Sequence, residues 1–114
     1  MTLGQARRLF SKSLVTLLLH VPTLGLDFAF DEVTDHITAK DPTTDHMPGS
    51  LHEIGLAADI LLYRDGVYLT NPDEYKLLGE LWEAMGKTLK LPLAWGGRFN
   101  DANHFSFEWQ GRKL

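Results

Sequence analysis

The stretch Ile-Gly-Leu-Ala-Ala-Asp-Ile-Leu-Leu-Tyr-Arg-Asp-Gly-Val-Tyr-Leu-Thr, residues 54–70, decides the fold. Residues 54–63 are apolar apart from Asp59, which is the pattern of a largely buried strand. Residues 64–66 supply a turn sequence, and residues 67–70 resume a strand pattern. The stretch therefore predicts a β-hairpin.

Two helices are predicted, one on each side of this hairpin in the sequence. Residues 2–20 carry apolar side chains at spacings of three and four, with Thr2 as the N-cap and Pro22 ending the helix. A second helix is predicted over 71–89, because it opens with Asn-Pro, and Pro92 is expected to stop it. Its expected buried face comprises Tyr75, Leu78, Leu81, Trp82 and Met85.

The remaining segments predict two more strands and two loops. Residues 26–33 alternate enough to form a short strand, and residues 104–109 alternate as a final strand. Residues 34–49 form a long polar stretch, which in a small domain is more often functional than idle. Residues 95–103 read as a glycine-containing loop. The predicted fold class is α+β, with a small antiparallel β-sheet flanked by helices in one domain, 1–114.

Composition excludes several classes of protein. The 114 residues are 44% hydrophobic and 23% charged, as in an ordinary globular domain. There is no cysteine, so disulfide scaffolds and thiolate zinc sites are excluded, and the net charge of −4 offers no basic field for nucleic acid. The apolar stretch 14–21 is too short to span a bilayer, and no small-residue cleavage site follows it. We therefore expect no signal peptide and synthesis in the cytoplasm.

Asp59 is the most informative residue, because it is the one charge between Gly55 and Tyr63. Burying a lone carboxylate costs several kcal/mol, as an order of magnitude, unless it is paired or bound to a cation. No lysine or arginine stands at i±2 on the same strand, so a metal ion would compensate the charge. The alternative is a carboxylate at a strand end that reaches water or a distant arginine.

Two histidines complete a possible ligand set with Asp59. His52 precedes it by seven residues, although Ser50 to Glu53 also fits a capping box in which His52 is merely exposed. His104 opens the final strand, shortly after two glycines that allow close backbone approach. Two imidazoles and one carboxylate are the three protein ligands of a catalytic zinc, with a fourth position left for water. Asp101, three residues before His104, would then be a carboxylate that does not ligate and serves as the general base.

Two motifs resemble those of the D-alanyl-D-alanine carboxypeptidase and L-alanyl-D-glutamate peptidase family of zinc peptidases. Ser-Leu-His-Glu-Ile-Gly-Leu-Ala-Ala-Asp, residues 50–59, resembles the first zinc motif, S-x-H followed by x-x-G-x-A-x-D. Trp-Gly-Gly-Arg-Phe-Asn-Asp-Ala-Asn-His-Phe, residues 95–105, resembles the second, in which an acidic residue precedes the last ligand by three. The resemblance is closest to the short single-domain phage endolysins and spans nearly the whole chain.

The resemblance implies a Hedgehog/DD-peptidase-like fold and one Zn²⁺ ion held by His52, Asp59 and His104, with Asp101 as the catalytic base. It implies hydrolysis of peptidoglycan stem peptides, first at the L-alanyl-D-glutamate bond and second at D-alanyl-D-alanine. An endolysin of this kind is a monomer without a transmembrane segment. It is made in the host cytoplasm and degrades the periplasmic cell wall after release, which contributes to host lysis.

The sequence departs from the family upstream of the first motif. Relatives often have a Glu-Val-Tyr-Arg-Thr stretch there, and its arginine stabilises the developing oxyanion. Here residues 32–38 read Glu-Val-Thr-Asp-His-Ile-Thr, and no arginine lies between Arg8 and Arg64. Candidate replacements for this arginine are His36, Lys40 and Arg98. Ser50 and Trp95 are further candidates for contact with the substrate or the oxyanion.

The missing arginine supports a second hypothesis, a non-catalytic zinc-containing binding module of the same fold. Retention of Asp101 argues against it, because a purely structural site has no use for an unligated acid beside an open metal position.

Overall fold

The computed structural model describes residues 1–31 and 50–114. Within these ranges the protein is α+β, with two α-helices and a small open antiparallel sheet. The helices are α1 (Leu3–His20) and α2 (Lys76–Leu89). The strands are β1 (Asp27–Phe30), β2 (Ala57–Arg64), β3 (Val67–Tyr68), β4 (Leu93–Trp95) and β5 (His104–Phe107). Short 3₁₀ turns occupy Pro22–Leu24, Pro72–Tyr75 and Gly96–Phe99.

The N-terminal helix follows its sequence signals closely. The Thr2 hydroxyl accepts a hydrogen bond from the Gln5 amide at 3.1 Å, and the Thr2 amide donates to the Gln5 side chain at 2.8 Å. This reciprocal pair is a capping box, which satisfies two amides that the first turn leaves without partners. The helix ends at His20, and a 3₁₀ turn that starts at Pro22 redirects the chain. The prediction of this helix is confirmed.

Strand β2 is central to the sheet, since the order is β1-β2-β5-β4 and β3 also pairs with β2. Between the β5 and β3 contacts, the amide of Leu62 donates to the Tyr75 hydroxyl at 3.1 Å. That hydroxyl donates in turn to the carbonyl of Leu69 at 2.8 Å. The buried Tyr75 hydroxyl therefore takes the place of a neighbouring strand at Leu62, between the part of β2 that pairs with β5 and the part that pairs with β3. Burial raises the pKa of Tyr75 above its ordinary value, which keeps the phenol a donor.

The predicted hairpin forms with a two-residue turn. Asp65 and Gly66 have φ values of 51° and 77°, the positive pair that a type I′ turn requires. However, β2 begins at Ala57 rather than Ile54. Residues 50–56 form successive tight turns instead, in which Gly55 has a φ of 76°. This left-handed conformation prevents the strand from extending back to residue 54.

The second helix ends at the predicted residue but begins later than predicted. A 3₁₀ turn follows Asn71, whose side chain accepts from the Asp73 amide at 3.0 Å, and regular α-helix starts only at Lys76. The helix ends at Leu89 because Lys90 adopts a left-handed conformation with a φ of 57°. It therefore stops before Pro92 is reached.

Trp82 on α2 joins the helices to the sheet. Its ring makes edge-to-face contacts with Phe10 of α1 at 5.9 Å and with Phe105 of β5 at 6.1 Å. Its indole nitrogen donates to the carbonyls of Ala94 and Ser106, on β4 and β5. A fully buried polar atom is thereby satisfied at the centre of the core.

The last two strands depart from the predicted pattern. The prediction puts residue 95 in a loop and assigns residues 93–94 to no element, whereas Leu93–Trp95 form β4, which pairs with β5. Strand β5 ends at Phe107 rather than residue 109, and its four residues are all buried instead of alternating. The physical reason is that residues 112–114 fold back over the face that carries His104 and Ser106. Consequently both faces of β5 are covered.

Some predictions fall on residues 32–49, which lie outside the described residues. These are the polar loop, the end of the predicted strand over 26–33, and the candidate roles of His36 and Lys40. In the part of the chain that is described, no helix combines the length and apolar character needed to cross a membrane.

Candidate metal centre

The register of the central strands brings two of the predicted ligands together. Asp59 on β2 lies directly opposite His104 on β5 in the antiparallel ladder. Side chains of directly opposed residues project from the same face of a sheet. The ladder is continued by a 2.8 Å hydrogen bond from the Ile60 amide to the Asn103 carbonyl. The two ligands are therefore placed by regular sheet geometry.

His52 approaches the same point from the tight turns before β2. The buried Ser50 hydroxyl accepts a hydrogen bond from the His52 amide at 3.2 Å. A complete capping box, the alternative reading of Ser50 to Glu53, would also have the Ser50 hydroxyl accept from the Glu53 amide, but that amide donates to the Ser50 carbonyl at 3.1 Å. From α1, the Nε atom of Arg7 donates to the Ile54 carbonyl at 2.6 Å and so ties the turn to the helix. Ser50 thus shapes the turn that presents His52.

The three side chains place one donor atom each around a common point. Nε2 of His52 lies 3.1 Å from Nδ1 of His104 and 3.2 Å from Oδ1 of Asp59. The third side of the triangle, from His104 Nδ1 to Asp59 Oδ1, is 3.4 Å. All three residues are at least largely buried, with His104 only 2% exposed. This group could hold a metal ion.

The Asp59 carboxylate is the group in this triangle that most needs a cation. Its Oδ1 atom is buried and makes no well-formed hydrogen bond within the described part of the chain. Burial by itself raises the pKa of this carboxyl, but the hydrogen-bonding nitrogens and charge of His104 and His52 outweigh burial and hold the pKa well below its usual range. A buried ionised carboxylate is costly unless it is paired or bound to a cation, so a cation among these donors would stabilise it.

Asp101 stands beside the triangle rather than in it. Its Oδ2 atom is 3.8 Å from Nδ1 of His104, and its side chain is 47% exposed. Partial burial raises the pKa of the Asp101 carboxyl, an effect opposed by the charge of His104 and reinforced by that of Asp59. A raised pKa makes a carboxylate a better proton acceptor.

The loop before β5 is tight enough to require glycine. The Asp101 amide donates to the Gly96 carbonyl at 2.9 Å, and the His104 amide donates to the Asp101 carbonyl at 3.1 Å. A Cβ atom at position 96 would overlap the Asp101 carbonyl oxygen and the Cβ of His104. The expectation that a glycine allows close backbone approach here is confirmed at Gly96.

A groove of about 210 Å³ opens beside Asp101. The polar residues that line it include Asp101, Asn100, Asn103, Thr70 and Tyr68. Its polar walls carry amide and hydroxyl groups, which can hydrogen-bond the main chain of a peptide. The groove therefore offers polar groups next to the candidate base.

Two other candidate residues, Trp95 and Arg98, are engaged elsewhere. The Trp95 ring is 5% exposed, and its indole nitrogen donates to the Ala102 carbonyl at 2.7 Å. Arg98 makes a two-point contact with Glu83 of α2, at 2.7 and 3.2 Å, and its guanidinium lies 5.4 Å from the Trp95 ring centre. These contacts hold the loop against the core.

Two residues that support the site were not found from the sequence. Arg7 braces the turn that carries His52. The main-chain carbonyl of Lys113 accepts from Nε2 of His104 at 3.0 Å. Any residue can supply a main-chain acceptor, so residue types do not predict the contact of Lys113. The Arg7 contact joins positions 47 residues apart, so no local pattern predicts it.

Comparison with known proteins does not assign the chain to a family. The sequence matches no protein-family model and no curated protein.

Proposed function

We propose that the protein is a zinc-dependent peptidase that hydrolyses the stem peptides of peptidoglycan. The observation that carries the proposal is the triangle formed by the donor atoms of His52, Asp59 and His104. Its sides measure 3.1, 3.2 and 3.4 Å. Zinc bonds to imidazole nitrogen and carboxylate oxygen are about 2.0–2.2 Å long, so adjacent ligand atoms in a tetrahedral site lie about 3.3–3.6 Å apart. The triangle is slightly smaller than one face of such a tetrahedron, so a small outward movement of the side chains would admit the ion.

The number of protein ligands supports a catalytic rather than a structural zinc site. Structural zinc sites use four protein ligands, whereas catalytic sites use three and keep the fourth position for water or substrate. Three donors meet here within the described residues. Asp101 is close by, but its nearest carboxylate oxygen is 3.8 Å from His104 Nδ1, outside the triangle. This leaves Asp101 available for proton transfer.

The chemistry divides between the ion and the Asp101 carboxylate. When bound, zinc supplies the Lewis acidity that polarises a peptide carbonyl and acidifies water. Asp101 accepts the proton released as water attacks the carbonyl carbon, and delivers it to the leaving amine. His52, Asp59 and His104 would hold the ion, and the groove lined by Asn103 would take the peptide beside Asp101.

The substrate class rests on the resemblance of residues 50–59 and 95–105 to the zinc motifs of peptidoglycan peptidases. We propose the L-alanyl-D-glutamate bond as the first target and the D-alanyl-D-alanine bond as the second. A phage endolysin is the biological setting that this resemblance suggests. Such a protein is made in the host cytoplasm and reaches the periplasmic wall on release.

Mass spectrometry of digested muropeptides tests the proposal. Purified protein with zinc is incubated with isolated Gram-negative peptidoglycan, and the new amino and carboxyl ends are identified. We expect cleavage within the stem peptide that a chelator abolishes and zinc restores. The matched control is His52→Ala, which removes one donor of the triangle. Intact stem peptides after incubation with the zinc-loaded protein would contradict the proposal.

The alternative, a non-catalytic zinc-containing module, is favoured by the sequence departure at residues 32–38. Clearing of permeabilised Gram-negative cells separates the two functions. The peptidase clears the suspension in a chelator-sensitive manner. The module binds zinc and the wall but leaves the turbidity unchanged.

A further inference from the structure

The residues after β5 return in a tight hairpin alongside the candidate metal centre. The amide of Trp109 donates to the Arg112 carbonyl at 3.0 Å, and the amide of Arg112 donates back at 2.9 Å. The two residues between them, Gln110 and Gly111, have φ values of 50° and 78°. Positive φ at both central positions is typical of a type I′ turn, whose twist suits a tight reversal. The turn directs residues 112–114 back along β5.

The returning segment contacts the ring of His104. Nε2 of His104 lies 3.0 Å from the Lys113 carbonyl oxygen. A carbonyl can only accept a hydrogen bond, so Nε2 must carry the proton. In the neutral imidazole Nδ1 then has the free lone pair, and Nδ1 is the atom that faces His52 and Asp59. The contact therefore selects the tautomer that can bind a metal ion.

The carboxylates near the His104 ring oppose this choice of tautomer. Two carboxylates face Nδ1 of His104, with Asp59 Oδ1 at 3.4 Å and Asp101 Oδ2 at 3.8 Å. Both would draw the ring proton to Nδ1, where it would block coordination. The carbonyl of Lys113 offers the proton a better-formed hydrogen bond on the opposite side of the ring.

The carbonyl of Lys113 is itself held in place by a second donor. The hydroxyl of Ser106, which is fully buried, donates to the same oxygen at 2.6 Å. His104 and Ser106 are two residues apart on β5, so both project from the same face of the strand. Two buried donors on a rigid strand thus converge on one acceptor.

The next residue braces the other histidine. The amide of Leu51, which is completely buried, donates to the Leu114 carbonyl at 3.1 Å. Leu51 directly precedes His52 in the turn that presents the second imidazole. Consecutive carbonyls of one segment therefore contact the ring of His104 and the main chain beside His52.

We propose that the segment 112–114 is a positioning element of the metal centre, which fixes the His104 tautomer through the Lys113 carbonyl and the His52 turn through the Leu114 carbonyl. The inference rests on the proposed metal centre. Hydrogen-bond partners of metal-bound histidines typically change metal affinity 10–100-fold when they are lost. Here the partner is main chain, so the identity of residue 113 matters little and the presence of its carbonyl matters greatly.

The test compares three chains: the full protein, Lys113→Ala, and a chain that stops after Arg112. Lys113→Ala keeps the carbonyl and loses the cation–π contact of Nζ with Phe99, at 5.6 Å. Zinc affinity is measured by competition with a chromophoric chelator. We expect a dissociation constant within about threefold of the full protein for Lys113→Ala. For the shortened chain we expect an increase of roughly 10–100-fold. Equal affinity of the shortened chain and the full protein would overturn the proposal.

A second measurement requires no variant. Nitrogen-15 spectra of the imidazoles in the metal-free full protein, at a pH where the ring is neutral, report the tautomer of His104. We expect the proton on Nε2 and an unprotonated Nδ1. A proton on Nδ1 would overturn the inference even if the shortened chain failed to fold. If the full protein showed the expected tautomer but bound no zinc, the proposed peptidase would fail while the orientation of His104 by Lys113 would stand.

Discussion

The main-chain carbonyl of Asn103 accepts a hydrogen bond from the amide of Ile60 at 2.8 Å. Asn103 directly precedes His104 and Ile60 directly follows Asp59, so this bond fixes the register of the two strands at the ligands. The two ligands are directly opposed in the β2–β5 ladder as a result. A slip of one residue would turn every side chain of the strand to the other face. The metal centre thus depends on sheet register, and the following predictions test that dependence and the chemistry built on it.

Replacing Asp59 by asparagine removes the anionic donor but preserves the shape of the side chain. We expect Asp59→Asn to weaken zinc binding by more than the roughly 10–100-fold that loss of a supporting hydrogen bond costs. Chelator competition measures the affinity. Asp27→Asn is the matched control, because Asp27 is an exposed carboxylate on β1 of the same sheet. Unchanged zinc affinity in Asp59→Asn would show that the carboxylate is not a ligand.

Replacing Asp101 by asparagine separates proton transfer from metal binding. We expect Asp101→Asn to retain zinc and the fold, but to lower hydrolysis of stem peptides by about 10²–10⁴-fold, as loss of a general base typically does. Metal content and the rate of muropeptide release are measured on the same sample.

The control for this substitution is Asp65→Asn, an exposed acid in the turn between β2 and β3, where asparagine tolerates the observed positive φ. It changes the net charge equally and should leave the rate unaltered. Full activity in zinc-loaded Asp101→Asn would rule out Asp101 as the base.

Removing the Tyr75 hydroxyl tests whether this hydroxyl stabilises β2 at the point where the backbone pairing of the strand is interrupted. Tyr75→Phe leaves the Leu62 amide and the Leu69 carbonyl without this buried partner. We expect the free energy of unfolding to fall by about 1–3 kcal/mol, measured by urea denaturation of the metal-free protein. Tyr63→Phe, on β2, is the control and should cost less. Equal stabilities of the two variants would mean that the hydroxyl does not complete the ladder.

A methyl group at position 96 tests the tight loop before β5. Gly96→Ala would bring a Cβ atom onto the Asp101 carbonyl and the Cβ of His104, so the backbone must shift. We expect a loss of about 1–3 kcal/mol in the free energy of unfolding, as for other overpacked sites, together with weaker zinc binding. Gly4→Ala is the control, because space is available near the start of α1. A variant as stable as the wild-type protein, with unchanged affinity, would refute the close approach.

Much of this arrangement could be predicted because local patterns determine it. Asp59 was recognisable as a charge in an otherwise apolar strand, and Asp65-Gly66 as a two-residue turn. The capped start of α1 also followed from Thr2. Each of these signals depends on residues that are close in the sequence.

The features that escaped prediction depend on distant contacts or on the main chain. Strand β4 has only three residues, too few for a periodicity, and exists because β5 pairs with it. The full burial of β5 results from the return of residues 112–114, and the turn before β2 is braced by Arg7 of α1. Neither contact can be read from the strand or the turn alone.

Anomalous diffraction at the zinc absorption edge, from crystals grown with zinc, tests the central claim most directly. The account predicts one peak about 2.0–2.2 Å from His52 Nε2, His104 Nδ1 and Asp59 Oδ1, with Asp101 outside the bonding distance. A peak at any other place, or these three side chains pointing away from one another in the zinc-grown crystal, would contradict it.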